Sequence, residues 1–313
     1  MKLGKLLLVV AALLILFSLT ARNFLTAENM LDLAEQISVN AILAFGMTFA
    51  IIIGGIDLSV GAVLAVVGTT TVFVLSRGNS TSQDPARLAL SITAGLTVAA
   101  AFGLVNGLCA AKTAMPAFIV TLGTMLVARG MALRYNEARP IQVATHETAF
   151  LALGSGRVCG VPCPVIIMLG LFAVMGVLLH RTRFGQHLYA IGGNREAARF
   201  TGIPLARHEV VVYVLCGLTA GIAGIISTSR LYMAEPGAGE GFELNAIAAA
   251  VVGGTSFTGG VGTMFGTLIG AIIIGILDKG LNQSRVHFSW QYVVKGLVIL
   301  AAVYMDVRGR ERR

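Results

Sequence analysis

Long apolar runs separated by short polar segments dominate the chain. Most runs are free of charge over about 20 positions, the length that a helix needs to cross roughly 30 Å of hydrocarbon. Backbone polar groups find no water at that depth, so these runs predict helices. The runs cover residues 6–21, 36–56, 58–76, 88–111, 113–128 with an extension to 133, 158–179, 210–229, 244–277 and 286–305.

The run 244–277 is too long for one crossing, because 34 helical residues would extend about 50 Å. Its glycines cluster at 253–262, where we expect a break between a short crossing and a second full one. The pattern therefore predicts an all-α, polytopic membrane protein with about ten transmembrane helices and Gly-rich broken segments. Residues 1–313 are expected to form a single membrane domain.

The first run has two interpretations. Lys2 and Lys5 precede it and small residues end it, which is typical of a signal peptide. Alternatively, it is an uncleaved first helix. Basic residues concentrate in both tails and in the loop 180–209, which places these segments in the cytoplasm. An even number of crossings satisfies that orientation, so we favour the uncleaved helix and two cytoplasmic termini.

Composition strengthens the membrane assignment. The chain is 56% hydrophobic and 12% charged, with a mean hydropathy of +0.83, whereas soluble domains are about one-quarter charged. These values exclude a soluble enzyme and a disordered chain. The net charge of +8 resides mostly at span ends and in one loop, without the aromatic-interleaved basic stripe of a nucleic-acid interface. The lipid bilayer is thus the expected partner, and nucleic acid is not.

Motifs for covalent chemistry are missing from the sequence. There is no GxxxxGK[ST] loop, no HExxH and no GxSxG elbow. We therefore predict no catalytic residue, no metal site and no cofactor. Cys159 and Cys163, in the sequence CGVPC, either form a disulfide or a metal site or remain free. Among polar residues within the runs, Asn106 and Thr124 suit interhelix hydrogen bonds, and Arg129 and Lys295 lie where they can snorkel to the interface.

The loop 180–209 carries five arginines and a capped-helix pattern. Asn194 suits the N-cap of a short helix over 195–201, Gly202 suits its C-terminal cap, and Pro204 prevents continuation. One interpretation is a basic anchor that fixes topology at the headgroups. The other is a rigid projection that inserts into a partner and transmits movement.

The sequence GGIDLSVG at 54–61 is the second polar signal. It marks either a capped, closely packed turn or a gate on a transport pathway, because an Asp at membrane depth is costly. The chain contains an echo of this element: Asn-Ala-Ile opens a run at 40 and again at 245, and Gly-Gly follows at 54 and 253. Paired broken helices are a transporter pattern. The pathway candidates are Asn40, Gly54, Gly55, Asp57, Ser59, Asn245, Gly253 and Gly254.

Four stretches carry a family resemblance. They are GMTFAIIIGGIDLSVGAVLAV (46–66), MPAFIVTLGTMLVARG (115–130), RTRFGQHLYAIGGNREAARFTGI (181–203) and LNAIAAAVVGGTSFTGGVGTMFGTLIGAIIIG (244–275). They are similar to the membrane permease subunit of ribose-type ABC sugar importers, over about residues 23–305. The resemblance implies a transporter subunit, not an enzyme, that moves a monosaccharide across the inner membrane by ATPase-driven alternating access. The competing function is an ion-coupled secondary carrier or facilitator.

The resemblance also implies partners. Two permeases pair, the second being a copy of this chain or a sister permease. A cytoplasmic ABC ATPase drives them, and a periplasmic or lipid-anchored binding protein delivers the sugar, with the segments 134–162 and 235–243 as candidate docking surfaces. The family's ATPase contact matches Arg183–Gly202 within the loop 180–209, which favours the projection over the anchor. The coupling residues carried over are Arg183, Gly192, Gly193, Asn194, Glu196, Ala197 and Gly202.

Overall fold

The computed structural model describes residues 3–77, 84–113 and 115–310, and nearly all of its regular structure is helical. The helices are α1 (Leu3–Thr20), α2 (Ala27–Ile52), α3 (Val60–Ser76), α4 (Pro85–Lys112), α5 (Ala117–Arg134), α6 (Thr148–Ser155), α7 (Cys163–Arg181), α8 (Arg183–Gly193), α9 (Arg195–Phe200), α10 (Leu205–Leu231), α11 (Phe242–Val252), α12 (Met264–Gln283) and α13 (Phe288–Arg310). The predicted all-α fold is confirmed.

The strands are two-residue pairs in the connections between helices. β1 (Ile141–Gln142) and β4 (Met233–Ala234) pair antiparallel, with Ile141 opposite Ala234. β2 (Arg157–Val158) and β3 (Val161–Pro162) form a second antiparallel pair. The first pair joins the segment 134–162 to the segment that precedes α11.

Six helices in the described part of the chain are long and apolar enough to cross a membrane: α2, α4, α5, α7, α10 and α12. Four shorter apolar stretches, Gly4–Thr20, Val60–Ser76, Phe242–Val252 and Phe288–Ala301, lie within α1, α3, α11 and α13. The chain is thus a polytopic membrane protein, and ten crossings remain a prediction. Lys2, Arg312 and Arg313, which contribute to the predicted orientation, lie outside the described residues.

α2 forms the centre of the fold. Every residue from Val39 to Ile52 is buried, beneath α7, α10, α11 and α12. The helix begins at Ala27 rather than near 36, because its early acidic residues have partners: Glu35 lies 3.5 Å from Arg230, and Asp32 lies 3.8 Å from Lys279. A carboxylate that has a cationic partner can lie in the first turns of a helix. The uncharged run 36–56 therefore begins later than α2 itself.

The peripheral helices expose apolar side chains. On α4, α5, α7 and α13, residues such as Leu104, Leu126, Val174 and Leu297 are between two-fifths and two-thirds exposed. Contiguous apolar surface of this kind is unstable in water. These helices therefore face lipid or another membrane subunit.

Candidate functional site

The first glycine joint, residues 52–59, ends α2 as the sequence predicts. Gly54 has a φ of +78°, and its N–H donates to Ile51 O at 2.9 Å. Gly55 N–H donates to Ala50 O at 2.8 Å. These two bonds form a Schellman motif, in which a left-handed residue closes the helix. Gly55 packs against the Tyr213 hydroxyl, where a larger residue would clash.

The second glycine joint, residues 253–263, repeats this geometry. Gly254 has a φ of +94° and donates to Val251 O at 2.8 Å, and Thr255 N–H donates to Ala250 O at 2.9 Å. Gly253 packs against the backbone of α12 at Gly266. The joints touch each other, since Gly260 N–H donates to Ile52 O at 2.8 Å. The sequence echo thus corresponds to two similar helix ends in contact.

Asp57 and Ser59 form a polar cluster within the first joint. Asp57 Oδ1 accepts hydrogen bonds from Ser59 N at 2.9 Å and Ser59 Oγ at 2.5 Å. Asn106 Nδ2 donates to Ser59 Oγ at 2.9 Å and to Asp57 Oδ1 at 3.4 Å, and Thr124 Oγ1 donates to Asn106 Oδ1 at 2.6 Å. The capping interpretation is wrong in detail: Ser59 precedes α3 but makes no side-chain cap bond. The cluster instead ties the joint to α4 and α5.

The coupling segment, residues 183–202, contains the predicted capped helix. Asn194 Oδ1 accepts from Ala197 N at 2.9 Å, and Gly202 adopts a φ of +83° after α9. Gly193, Glu196 and Arg183 are exposed.

Sequence reasoning missed the helix α8 that precedes this cap. Its signal is the apolar spacing of Phe184, Leu188 and Ile191, of which the last two are buried. Residues at such spacing share one helix face, so α8 lies flat against the core.

The coupling segment contacts both glycine joints. Gly192 packs directly on Ile52 O and Gly260 N, with no space for a side chain. Tyr189 Oη donates to Gly262 O at 2.7 Å. Burial raises the pKa of Tyr189 to about 12, so the phenol remains a donor at neutral pH. These contacts therefore tie the coupling segment to both joints.

A small cavity of about 300 Å³, here the joint cavity, lies beside the first joint. Its wall includes Gly54, Gly55, Tyr213 and an ion pair between Arg195 and Glu209. Glu209 is buried, whereas Arg195 is the first residue of α9 and half exposed. The ion pair therefore fixes the coupling segment to α10.

A larger cavity of about 570 Å³, here the amide cavity, lies between α2, α10, α11, α12 and α13. Asn40 and Asn245, the paired asparagines of the sequence echo, both line it. Lys295 Nζ lies 2.9 Å from Asp278 Oδ1 in its wall. Lys295, which the sequence placed where it can snorkel, thus has a carboxylate partner within the fold.

Arg129 also has a fixed role rather than a snorkelling one. Its Nη1 donates to Pro236 O at 2.7 Å and to Ala238 O at 2.8 Å. These bonds hold the turn that precedes α11. Cys159 and Cys163 are free thiols in this structure.

The structure thus gathers the predicted residues into three places. The coupling residues lie on α8 and α9, the glycines of 54–55 and 253–254 form adjoining joints, and Asn40 and Asn245 share a cavity. Asn40 and the joint cavity are separated by the buried stretch of α2 up to Ile52, about 20 Å along the helix. A bundle of apolar helices with glycine breaks, one polar cavity against the middle of its central helix and another at the C-terminal end of that helix is the arrangement of a polytopic membrane transport protein.

Comparisons identify the family. The family described as "Branched-chain amino acid transport system / permease component" matches residues 29–303, and the chain belongs to this family. It is 46% identical to the ribose import permease protein RbsC of Bacillus subtilis (strain 168), over 94% of this chain and 89% of that protein. It is 43% identical to the Escherichia coli (strain K12) protein of the same name, over 96% and 92%.

A third relative is the D-allose transport system permease protein AlsC of Escherichia coli (strain K12), 40% identical over 92% of this chain and 86% of that protein. No solved structure matches the chain. The predicted resemblance to ribose-type importer permeases is confirmed, as is the prediction of a transporter subunit rather than an enzyme. The ion-coupled carrier is not favoured.

Proposed function

We propose that this chain is the permease of a sugar importer and moves a monosaccharide, ribose or a related pentose or hexose, through the inner membrane. It works as one domain of ten crossing helices with both termini in the cytoplasm. The observation that carries the mechanism is the packing of Gly192 on both glycine joints. Permeases of ABC importers generally work with an ATPase and a substrate-binding protein, and the names of the relatives support a sugar as cargo.

The mechanism is alternating access driven from the coupling segment. Closure of the ATPase pair displaces α9, and α8 passes the movement to Ile52 and Gly260 through Gly192. α2, α11 and α12 then tilt about their joints, because helix ends closed by left-handed glycines absorb dihedral change more easily than helix interiors. The amide cavity and the joint cavity open in turn. The ATPase supplies the energy, and this chain converts movement into access.

The partners occupy opposite ends of the bundle in this proposal. The ATPase binds the coupling segment, and the binding protein docks on the segments 134–162 and 235–243, which β1 and β4 join. A second permease, either a copy of this chain or a sister permease, covers part of the exposed apolar surface of the peripheral helices.

Asn194 and Glu196 provide the experiment that tests the coupling segment. Replacing both with alanine removes the cap of α9, which is worth about 1 kcal/mol, and an exposed carboxylate of the ATPase-facing surface. We expect at least about a tenfold loss of ribose uptake, with normal membrane insertion. The control is Asp84→Ala, which removes the N-cap of α4 and a carboxylate outside the coupling segment and the docking segments, scored by ribose uptake and by retention of the ATPase subunit on purification. Normal uptake and ATPase coupling in the Asn194/Glu196 variant would contradict the proposal.

Phe200 is a further contact residue, which sequence reasoning missed. It ends α9 and is 90% exposed, a costly placement for a large apolar side chain. Aromatic anchors dominate the binding energy of many interfaces. We expect Phe200→Ala to weaken binding of the ATPase subunit by about tenfold, measured by titration in nanodiscs. Phe288→Ala, which removes an exposed ring from α13, should bind the ATPase normally; equal affinities of the two variants would remove Phe200 from the contact.

A further inference from the structure

The amide cavity has the dimensions of a small-molecule site. Its volume of about 570 Å³ lies within the 300–1,000 Å³ typical of ligand pockets. It reaches Asn40, 13 residues after the first residue of α2, and therefore extends to the middle of that helix. It also reaches the first turn of α11. The five helices around the cavity all belong to this one chain.

The charged groups of this cavity are matched within the protein. Asp278 pairs with Lys295 at 2.9 Å, and Arg230 lies 3.5 Å from Glu35. Glu240, the remaining charged residue of the wall, is exposed, so water solvates its carboxylate. A charged solute would have to compete with these partners to gain an ion pair of its own. The wall therefore favours an uncharged occupant.

The amide groups, by contrast, are unmatched. Neither Asn40 nor Asn245 forms a side-chain hydrogen bond with another described residue, although they are only 5% and 9% exposed. Asn40 Oδ1 is buried without any partner. Unmade bonds of buried polar groups are costly, so such groups call for an explanation. An amide offers both a donor and an acceptor, which is the complement of a hydroxyl group.

The short helix α11 begins at the same place. Its first residue, Phe242, and the preceding Gly241 line the cavity. Backbone N–H groups at this helix end have acceptors within the protein, because Phe242 N–H donates to Gly239 O and the Glu243 carboxylate accepts from the backbone of Gly241 and Glu243. The two free amides, rather than the helix start, therefore offer hydrogen bonds to a ligand.

We infer that the amide cavity binds one molecule of a neutral polyhydroxylated solute, with Asn40 and Asn245 hydrogen-bonded to its hydroxyl groups. The site lies within a single permease chain. The inference rests on the proposed function and deepens it, because it gives the permease a sugar-binding site separate from that of the delivering protein.

The test measures binding of radiolabelled ribose to the permease–ATPase complex in lipid nanodiscs, without the binding protein. We expect saturable binding that arabinose displaces and leucine does not, because leucine brings two charges and an apolar side chain to a wall of amides. Asn40→Leu and Asn245→Leu, which keep side-chain volume but remove the amide, should each weaken ribose binding by about tenfold. The control Asn29→Leu removes an amide bonded to Phe24 O outside the cavity and should bind ribose normally.

The outcomes separate the two proposals. If the wild-type complex with its binding protein imports ribose but shows no saturable ribose binding alone, or if both leucine variants bind as tightly as wild type, the cavity site is overturned and the permease function stands. If no monosaccharide is imported by the wild-type system, the proposed function itself fails. If Asn245→Leu does not insert into the membrane, Asn245→Ser is measured in its place. Serine is smaller than leucine and retains a hydroxyl group, so this variant should bind ribose with intermediate affinity.

Discussion

Gly192→Ala is expected to reduce sugar uptake by about 100-fold. The added Cβ would meet Ile52 O and Gly260 N, which are backbone atoms of the two glycine joints. Backbone atoms cannot move aside as a flexible side chain does, and overpacking of such a contact costs about 1–3 kcal/mol. The displaced segment would then transmit ATPase movement incorrectly.

The measurement compares ribose uptake with ATP hydrolysis in reconstituted transporter. Uptake should fall while hydrolysis by the bound ATPase persists, because α9 and its exposed surface are unchanged. Gly170→Ala on α7 is the matched control, since a Cβ at Gly170 meets no atom within 4 Å. If Gly192→Ala imports ribose at the rate of Gly170→Ala, the coupling segment does not act through the joints.

Lys295→Met should destabilise the protein by about 3 kcal/mol, because it leaves the Asp278 carboxylate buried without its cation. Asp278→Asn should have a similar effect through an unpaired ammonium group. The double variant should recover to within about 1 kcal/mol of wild type, since removing both charges of a buried pair is often close to neutral. Thermal unfolding in detergent, analysed as a double-mutant cycle, measures the coupling.

The neighbouring pair gives the control for this cycle. Lys279 lies 3.8 Å from Asp32, whose side chain is 48% exposed. Exposed pairs contribute about 0–1 kcal/mol, so Lys279→Met should change the melting temperature little. Equal destabilisation by Lys279→Met and Lys295→Met would mean that burial of the Asp278–Lys295 pair is not the cause.

Local signals predicted the helix ends and the cap of α9 correctly. Glycine pairs at 54–55 and 253–254 indicated breaks, and both breaks carry left-handed glycines. Asn194 and Gly202 delimited α9. These features depend on residues within a few positions of each other, so a sequence pattern contains them. The helix α8 was not predicted, because its three glycines weaken the helical signal given by the apolar spacing of Phe184, Leu188 and Ile191.

Contacts between distant segments could not be predicted from such local patterns. Asp278 and Lys295 are 17 positions apart on different helices, and Lys295 near a run end suggests snorkelling when its partner is unknown. No sequence pattern indicated whether Phe200 is buried or exposed, since one aromatic residue at the end of a short helix is buried in some folds and exposed in others. Only the packing of α9 left it outside the core.

The sequence by itself determined a membrane-embedded, all-helical fold, because apolar run length and charge placement report the solvent that each segment requires. The transporter subunit was implied by the resemblance of four stretches to a permease family. The sequence also located the glycine joints and the capped coupling helix, which are local conformational preferences. Only the tertiary structure decided that Gly192 touches both joints and that Asn40 and Asn245 share one cavity. Those contacts join residues that are tens to hundreds of positions apart, and their geometry follows from how the helices pack rather than from any one segment.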